Sequence, residues 1–141
     1  MKRRVLKFGG SSVADFTKIK NIAEMLKRRV DDGEQLIVVV SAMGKTTDQL
    51  MENVSHLTTT PKDEELALLL TTGEQQTVSY LSMVLNDIGV SARAMTGYQA
   101  GIKTVGHHLK SRIAEINPET FNKEFKDKDV LVCLLYTSPS P

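Results

Sequence analysis

Short apolar runs alternate with longer amphipathic stretches along the chain. The run at residues 36–40 is continuous and rich in β-branched residues, which is typical of a strand buried on both faces of a parallel sheet. Residues 4–8 form another run, which we expect to be a buried strand that leads through a glycine turn directly into a helix. Residues 90–95 and 129–132 predict two further strands, and residues 112–116 a short one.

The first amphipathic stretch follows the glycine turn. From Asp15 onward its apolar residues recur at helical spacing, and lysines and arginines occupy much of the remaining surface. Ser12, three residues before Asp15, matches a capping-box spacing, so we expect Ser12 to cap this helix rather than to act in catalysis. Gly33 is expected to end the helix as a left-handed cap.

Three further helices are expected. One covers about 48–57, and a long apolar face predicts another over 63–89. Gly73 lies inside the long helix and is expected to break or kink it, because glycine costs a helix interior roughly 1 kcal/mol relative to alanine. The last helix begins with Asn117 as its cap and Pro118 in its first turn. Strands that alternate with helices predict an α/β fold with a mainly parallel sheet.

Composition and charge narrow the class of protein. The chain has 141 residues, of which 40% are hydrophobic and 25% charged, and its formal net charge is +1, so a nucleic-acid partner is not expected. No stretch approaches the roughly 20 apolar residues that cross a bilayer, and the start lacks the apolar core of a signal peptide, which favours the cytoplasm. A single cysteine and the adjacent His107 and His108 give no spacing typical of a metal site.

The candidate chemistry lies where the first two strands end. Lys7 and the pair Gly9 and Gly10 follow one strand, and residues 41–47 follow the other. Because ligands bind beyond the carboxyl ends of parallel strands, both segments are expected at one edge of the sheet. A lysine beside a glycine turn is costly to bury without an anion, so this edge predicts a phosphate site, and an ordinary strand-to-helix turn is the alternative.

Four sequence blocks carry a resemblance. Together they cover roughly residues 4 to 132, and they are Lys7–Val13, Val40–Asp48, Thr71–Gln75 and Thr96–Ile102. In this order they resemble the N-terminal signature of aspartate kinases in the amino-acid kinase superfamily. The resemblance implies a three-layer α/β/α sandwich around a mainly parallel central sheet, the amino-acid kinase fold.

The resemblance also implies an activity. Aspartate kinases move the γ-phosphoryl group of ATP to the β-carboxylate of L-aspartate, the first step of lysine, threonine and methionine biosynthesis. ATP and Mg²⁺ are the implied cofactors, L-aspartate is the implied substrate, and the full-length enzyme is expected to be a homo-oligomer. Because the nucleophile belongs to the substrate, such a site needs charge and positioning rather than a nucleophilic side chain.

Individual residues match family positions. By resemblance, Lys7 neutralises charge on the transferred phosphoryl group, Thr47 contacts aspartate and Glu74 holds its α-ammonium group. Residues that match the nucleotide side of the family site are Lys7, Phe8, Gly9, Gly10 and Ser41. A helix N-cap is the alternative for Ser41, and a solvated helix end is the alternative for Glu74. No metal ligand is assigned.

The final residues depart from the family pattern. Residues 133–141 carry no charge and end with two prolines in the last three positions, and they resemble a translated sequencing adapter. We therefore expect 1–132 to be the N-terminal part of an aspartate kinase catalytic domain and 133–141 to be a non-native tail, and we expect this piece alone to be inactive. Another amino-acid kinase superfamily member and a non-catalytic nucleotide-binding module are the rival interpretations. A dinucleotide-binding domain is disfavoured, because the glycine spacing of its fingerprint is missing.

Overall fold

The computed structural model describes residues 2–96, 102–105, 112–116 and 118–134. Strands and helices alternate over most of this length. In chain order they are β1 (Lys2–Phe8), α1 (Phe16–Asp31), β2 (Glu34–Val40), α2 (Thr46–Ser55), α3 (Asp63–Asp87), β3 (Ala92–Thr96), β4 (Ile102–Val105), β5 (Arg112–Ile116), α4 (Pro118–Glu124) and β6 (Val130–Leu134). Among the described residues, no helix is both long and apolar enough to cross a membrane.

Four strands form a parallel sheet in the order β1-β2-β6-β3. The last strand in sequence, β6, therefore lies between β2 and β3. β4 and β5 pair separately as an antiparallel hairpin. The expected α/β fold with a mainly parallel sheet is confirmed, whereas the sequence pattern did not predict β4 as a strand.

Two apolar cores cover the two faces of the sheet and give three layers. Helices α1 and α3 pack on one face, where alternate residues of β2, such as Leu36 and Val38, are buried. The other residues of β2, Ile37 and Val39, face α4 and lie in a second core with Phe121. Alternate side chains of a strand point to opposite faces, so the continuous apolar run of β2 is explained by burial on both sides. This prediction is confirmed.

The first strand differs from its prediction as a buried strand. β1 lies at the edge of the described sheet, and Val5 is 47% exposed. On this side of the sheet, α4 contacts the start of the strand, where Arg3 Nη1 donates to the Asn122 Oδ1 at 2.8 Å, and the Arg3 guanidinium lies 4.8 Å from the ring centre of Phe125, just after the helix. With one neighbouring strand and little cover on one face, β1 stays largely accessible to water.

The start of α1 also differs from its prediction. The N-cap is Asp15, whose Oδ1 accepts a hydrogen bond from the Lys18 backbone N–H at 2.8 Å. Ser12 lies three residues earlier, where its backbone N–H donates to the Gly9 carbonyl at 3.0 Å and closes a turn. The turn after β1 is thus longer than expected and does not lead directly into the helix. At the other end, Gly33 has φ +95° directly after the C-cap, as predicted.

The long helix α3 is continuous from Asp63 to Asp87, so the expected break at Gly73 is wrong. The glycine has a packing reason instead. A Cβ built on Gly73 would lie 3.0 Å from the Ala42 Cβ and 3.1 Å from the Thr46 Cγ2. One propensity cost of roughly 1 kcal/mol does not break a 25-residue helix that packs along its length.

The remaining predictions concern the later part of the chain. The predicted short strand at 112–116 is confirmed, and α4 begins at Pro118 as expected. Asn117, His107, His108 and residues 97–101 lie outside the described residues. β6 continues over Cys133 and Leu134, both fully buried, so these two residues of the expected tail belong to the sheet. The origin of residues 133–141 stays a prediction.

Candidate functional site

Two loops meet at the carboxyl ends of β1 and β2. The Ser41 backbone N–H donates to the Phe8 carbonyl at 3.2 Å, where the parallel pairing of the two strands ends. Further along, the Gly44 N–H donates to the Gly10 carbonyl at 3.1 Å. The predicted meeting of the two segments at one edge of the sheet is confirmed, and direct backbone hydrogen bonds join them.

Glycines allow this close approach. A Cβ on Gly10 would lie 3.1 Å from the Ala42 carbonyl oxygen. Gly44 has φ +43°, and a Cβ there would lie 3.1 Å from the Ala14 carbonyl oxygen. A side chain at either position would therefore crowd a backbone carbonyl oxygen, and at Gly44 it would also strain the backbone. The result is a closely joined pair of loops at the carboxyl ends of β1 and β2.

Lys7 lies beside this loop pair and is exposed to water. Its register partner on β2 is Val39, a member of the second core, so Lys7 points to the α4 side of the sheet. Within the described part of the chain, no residue forms a hydrogen bond or ion pair with its ammonium group. The argument that its charge is costly to bury is wrong, because water solvates an exposed ammonium group. Lys7 is therefore a solvent-exposed cation near the carboxyl end of β1.

A second lysine reaches the same loop. Lys18, in the first turn of α1, donates from Nζ to the Ser11 carbonyl oxygen at 2.9 Å. The sequence pattern assigned Lys18 to the solvated face of the helix. The contact between Lys18 and Ser11 depends on the path of the loop after β1. The spacing of apolar residues in the sequence does not predict that path. Because Asp15 caps α1, the start of that helix carries a carboxylate, which makes it unfavourable for an anion.

Glu74 is half-buried on α3, directly after Gly73. Burial raises its pKa to about 7 from an ordinary value of 4.5. No described residue donates a hydrogen bond to its carboxylate or forms an ion pair with it. The alternative of a fully solvated helix end is therefore wrong, and Glu74 is a carboxylate that a cation entering this region would stabilise.

The other predicted residues lie near the loops after β1 and β2. Ser41 is half-buried, and it is not a helix N-cap, because α2 has its N-cap at Lys45. Thr47 is exposed in the first turn of α2, one residue after the Thr46 that contacts α3. Phe8 packs partly against the first core and so holds the end of β1 in place. The structure thus brings the predicted residues to one end of the sheet, on three adjoining segments.

A metal ion has little to bind in this part of the chain. Among the described residues, no group of three or more His, Cys, Asp and Glu side chains comes together as a metal site. Magnesium prefers carboxylate oxygens, water and substrate phosphates as ligands. The described residues alone do not fit a protein-bound Mg²⁺.

Known proteins resemble this chain in sequence. The profile of the amino acid kinase family matches residues 2–136. The aspartokinase of Bacillus sp. (strain MGA3) is 41% identical over 128 residues, which are 91% of this chain and 31% of that protein. The aspartokinase of Thermus thermophilus is 38% identical over 137 residues, 97% of this chain and 34% of that protein. This chain thus spans about a third of the length of these relatives.

Solved structures show the same architecture. The crystal structure of aspartate kinase from Synechocystis matches 95% of this chain and 21% of its own, with a TM-score of 0.76 and 36% identity. E. coli aspartokinase III in complex with aspartate and ADP matches 94% of this chain and 40% of its own, with a TM-score of 0.70 and 16% identity. At that lower identity the second likeness concerns the fold alone.

Proposed function

Since the chain belongs to the amino acid kinase family, we propose that it forms the N-terminal part of the catalytic domain of an aspartate kinase. The full-length protein would transfer the γ-phosphoryl group of ATP to the β-carboxylate of L-aspartate. A carboxylate oxygen attacks the γ-phosphorus, the bond to the β,γ-bridging oxygen breaks, and ADP leaves with that electron pair. The product is a mixed anhydride, aspartyl β-phosphate.

One observation carries the proposal most directly. Two backbone hydrogen bonds join the loop after β1 to the loop after β2, and α3 packs on the second loop at Gly73. The exposed ammonium group of Lys7 and the carboxylate of Glu74, which has no partner among the described residues, therefore belong to neighbouring segments at one end of the sheet. A phosphoryl transfer to an amino acid needs both charges, one for the phosphoryl group and one for the α-ammonium group.

The residues divide between the two substrates. Lys7 would neutralise charge on the transferred phosphoryl group, and the loop that includes Gly9 and Gly10 would lie against the phosphates, with Phe8 and Ser41 beside it. Thr47 and Glu74 would hold aspartate. Because the described residues do not form a metal site, Mg²⁺ would enter with ATP and with groups outside them. A cytoplasmic homo-oligomer is a further proposal that rests on the family resemblance.

The experiment uses the full-length gene from the same source. We expect the purified enzyme to form ADP and a hydroxamate-trapped acyl phosphate in equal amounts, and only when ATP and L-aspartate are both present. A panel of acceptors should include L-glutamate, N-acetyl-L-glutamate and carbamate. Preferred turnover of another acceptor, or nucleotide binding without transfer, would contradict the proposal.

A variant of Glu74 tests its role in the same enzyme. Glu74→Gln keeps the shape of the side chain and removes its charge. A hydrogen bond between charged groups contributes roughly 1.5 to 3 kcal/mol, so KM for aspartate should rise about ten-fold or more while KM for ATP changes little. Equal increases in both constants would contradict this role.

A further inference from the structure

The contact of α3 with the loop after β2 and the first residue of α2 is unusually close. A Cβ built on Gly73 would lie 3.0 Å from the Ala42 Cβ and 3.1 Å from the Thr46 Cγ2. Carbon atoms in favourable contact are about 3.5 to 4.0 Å apart. A Cβ at residue 73 would therefore require the helix or the facing segment to shift by a few tenths of an ångström.

This contact lies at the edge of the sheet where the loops meet. Ala42 lies two residues after the end of β2 at Val40, so Gly73 lies beside the carboxyl end of that strand. α2, which follows the same loop, also packs against α3.

Helix stability alone favours another residue at this position. Glycine costs a helix interior roughly 1 kcal/mol relative to alanine, and Gly73 is buried in the interior of α3. The same loop is also confined on its other side, because a Cβ on Gly10 would lie 3.1 Å from the Ala42 carbonyl oxygen. The loop after β2 is thus held between two glycines, one on the loop after β1 and one on α3.

We propose that Gly73 is a positioning residue, which sets the spacing between α3 and the loop after β2 so that Glu74 and Thr47 can hold one amino-acid substrate between them. Each of these residues directly follows a member of the contact, Glu74 after Gly73 and Thr47 after Thr46. The inference rests on the proposed function, because it assigns Glu74 and Thr47 to aspartate. The inference adds a steric reason for the spacing between Glu74 and Thr47, because residue 73 has no Cβ.

The first test measures kinetics in the full-length enzyme. Gly73→Ala should raise KM for aspartate about ten-fold while KM for ATP stays within about two-fold. Removing the opposing methyl groups with Ala42→Gly and Thr46→Ser should bring KM for aspartate in the triple variant back to within about three-fold of the original. Gln76→Ala, an exposed alanine substitution on the same helix, is the matched control and should leave both constants unchanged.

An unchanged KM for aspartate in Gly73→Ala would overturn the inference. A triple variant that folds as the original does but keeps the raised KM for aspartate would also overturn it. A merely structural role would lower the melting temperature without separating the two KM values, and that outcome also counts against the inference.

A second measurement distinguishes this failure from a failure of the proposed function. In the 141-residue chain, ¹³C NMR can follow the carboxyl group of Glu74, whose pKa burial raises to about 7. Separation of helix and loop in Gly73→Ala should hydrate the carboxyl and lower its pKa toward 4.5, and the triple variant should restore it. If this pattern holds but the full-length enzyme does not phosphorylate aspartate, the proposed function fails, while the role of Gly73 in setting the spacing of helix and loop stands. A pKa of Glu74 that Gly73→Ala leaves unchanged would overturn the inference.

Discussion

Replacing Glu74 by glutamine should make the stability of the chain less dependent on pH. Burial raises the pKa of Glu74 to about 7 in the folded chain, against an ordinary value of 4.5. Between these two values the folded state binds more protons than the unfolded state, so the free energy of unfolding falls as pH rises through this window. The stabilisation is fully present below pH 4.5 and lost above about pH 7.

The magnitude follows from the difference between the two pKa values. That difference corresponds to about 3 kcal/mol, and water that reaches the half-buried carboxyl reduces it to about 1 to 2 kcal/mol. Glu74→Gln lacks the ionisation, so near pH 8 the variant should be about 1 to 2 kcal/mol more stable than the original chain, and near pH 4.5 about equal to it.

Urea unfolding of the 141-residue chain and its variant, repeated across this pH range, measures the effect. Taking the difference between the two curves removes the contribution of every other titrating group. Glu24→Gln, at an exposed position of α1, controls for the loss of one negative charge. A difference between Glu74→Gln and the original chain that is constant across the pH range would refute the reasoning.

Three further outcomes are expected. In the full-length enzyme, Lys7→Met should lower kcat by at least about 100-fold with little change in KM for aspartate. Lys2→Met, at the far end of β1, is the control and should leave kcat unchanged. Retained turnover in Lys7→Met would exclude a role of Lys7 in neutralising charge on the phosphoryl group. Asp15→Ala should lower the free energy of unfolding by about 1 kcal/mol and Ser12→Ala by less than about 0.5 kcal/mol in urea titrations, since only Asp15 caps α1. Burial raises the pKa of the Cys133 thiol to about 12, so a thiol reagent should label it only after the chain unfolds. Rapid labelling of the folded chain would contradict the buried position of Cys133 in β6.

The sequence alone was enough to predict elements that depend on near neighbours in the chain. The β-branched run of β2 and the glycine that ends α1 could both be recognised, because strand and helix periodicity and a left-handed cap are local properties. The meeting of the loops after β1 and β2 was also predictable, since parallel strands present their carboxyl ends at one edge of a sheet. Family resemblance then supplied the candidate roles of Lys7 and Glu74.

Tertiary structure decided what depends on contacts between distant segments. The local spacing at Ser12 matched a cap, but Asp15 takes that position because the loop after β1 turns back before the helix begins. The exposure of Lys7 depends on the edge position of its strand, and pairing order cannot be read from a single strand. Gly73 is the sharpest case. Propensity predicted a break or kink, whereas α3 is continuous, and the short distance from a Cβ at residue 73 to Ala42 gives the glycine a steric reason.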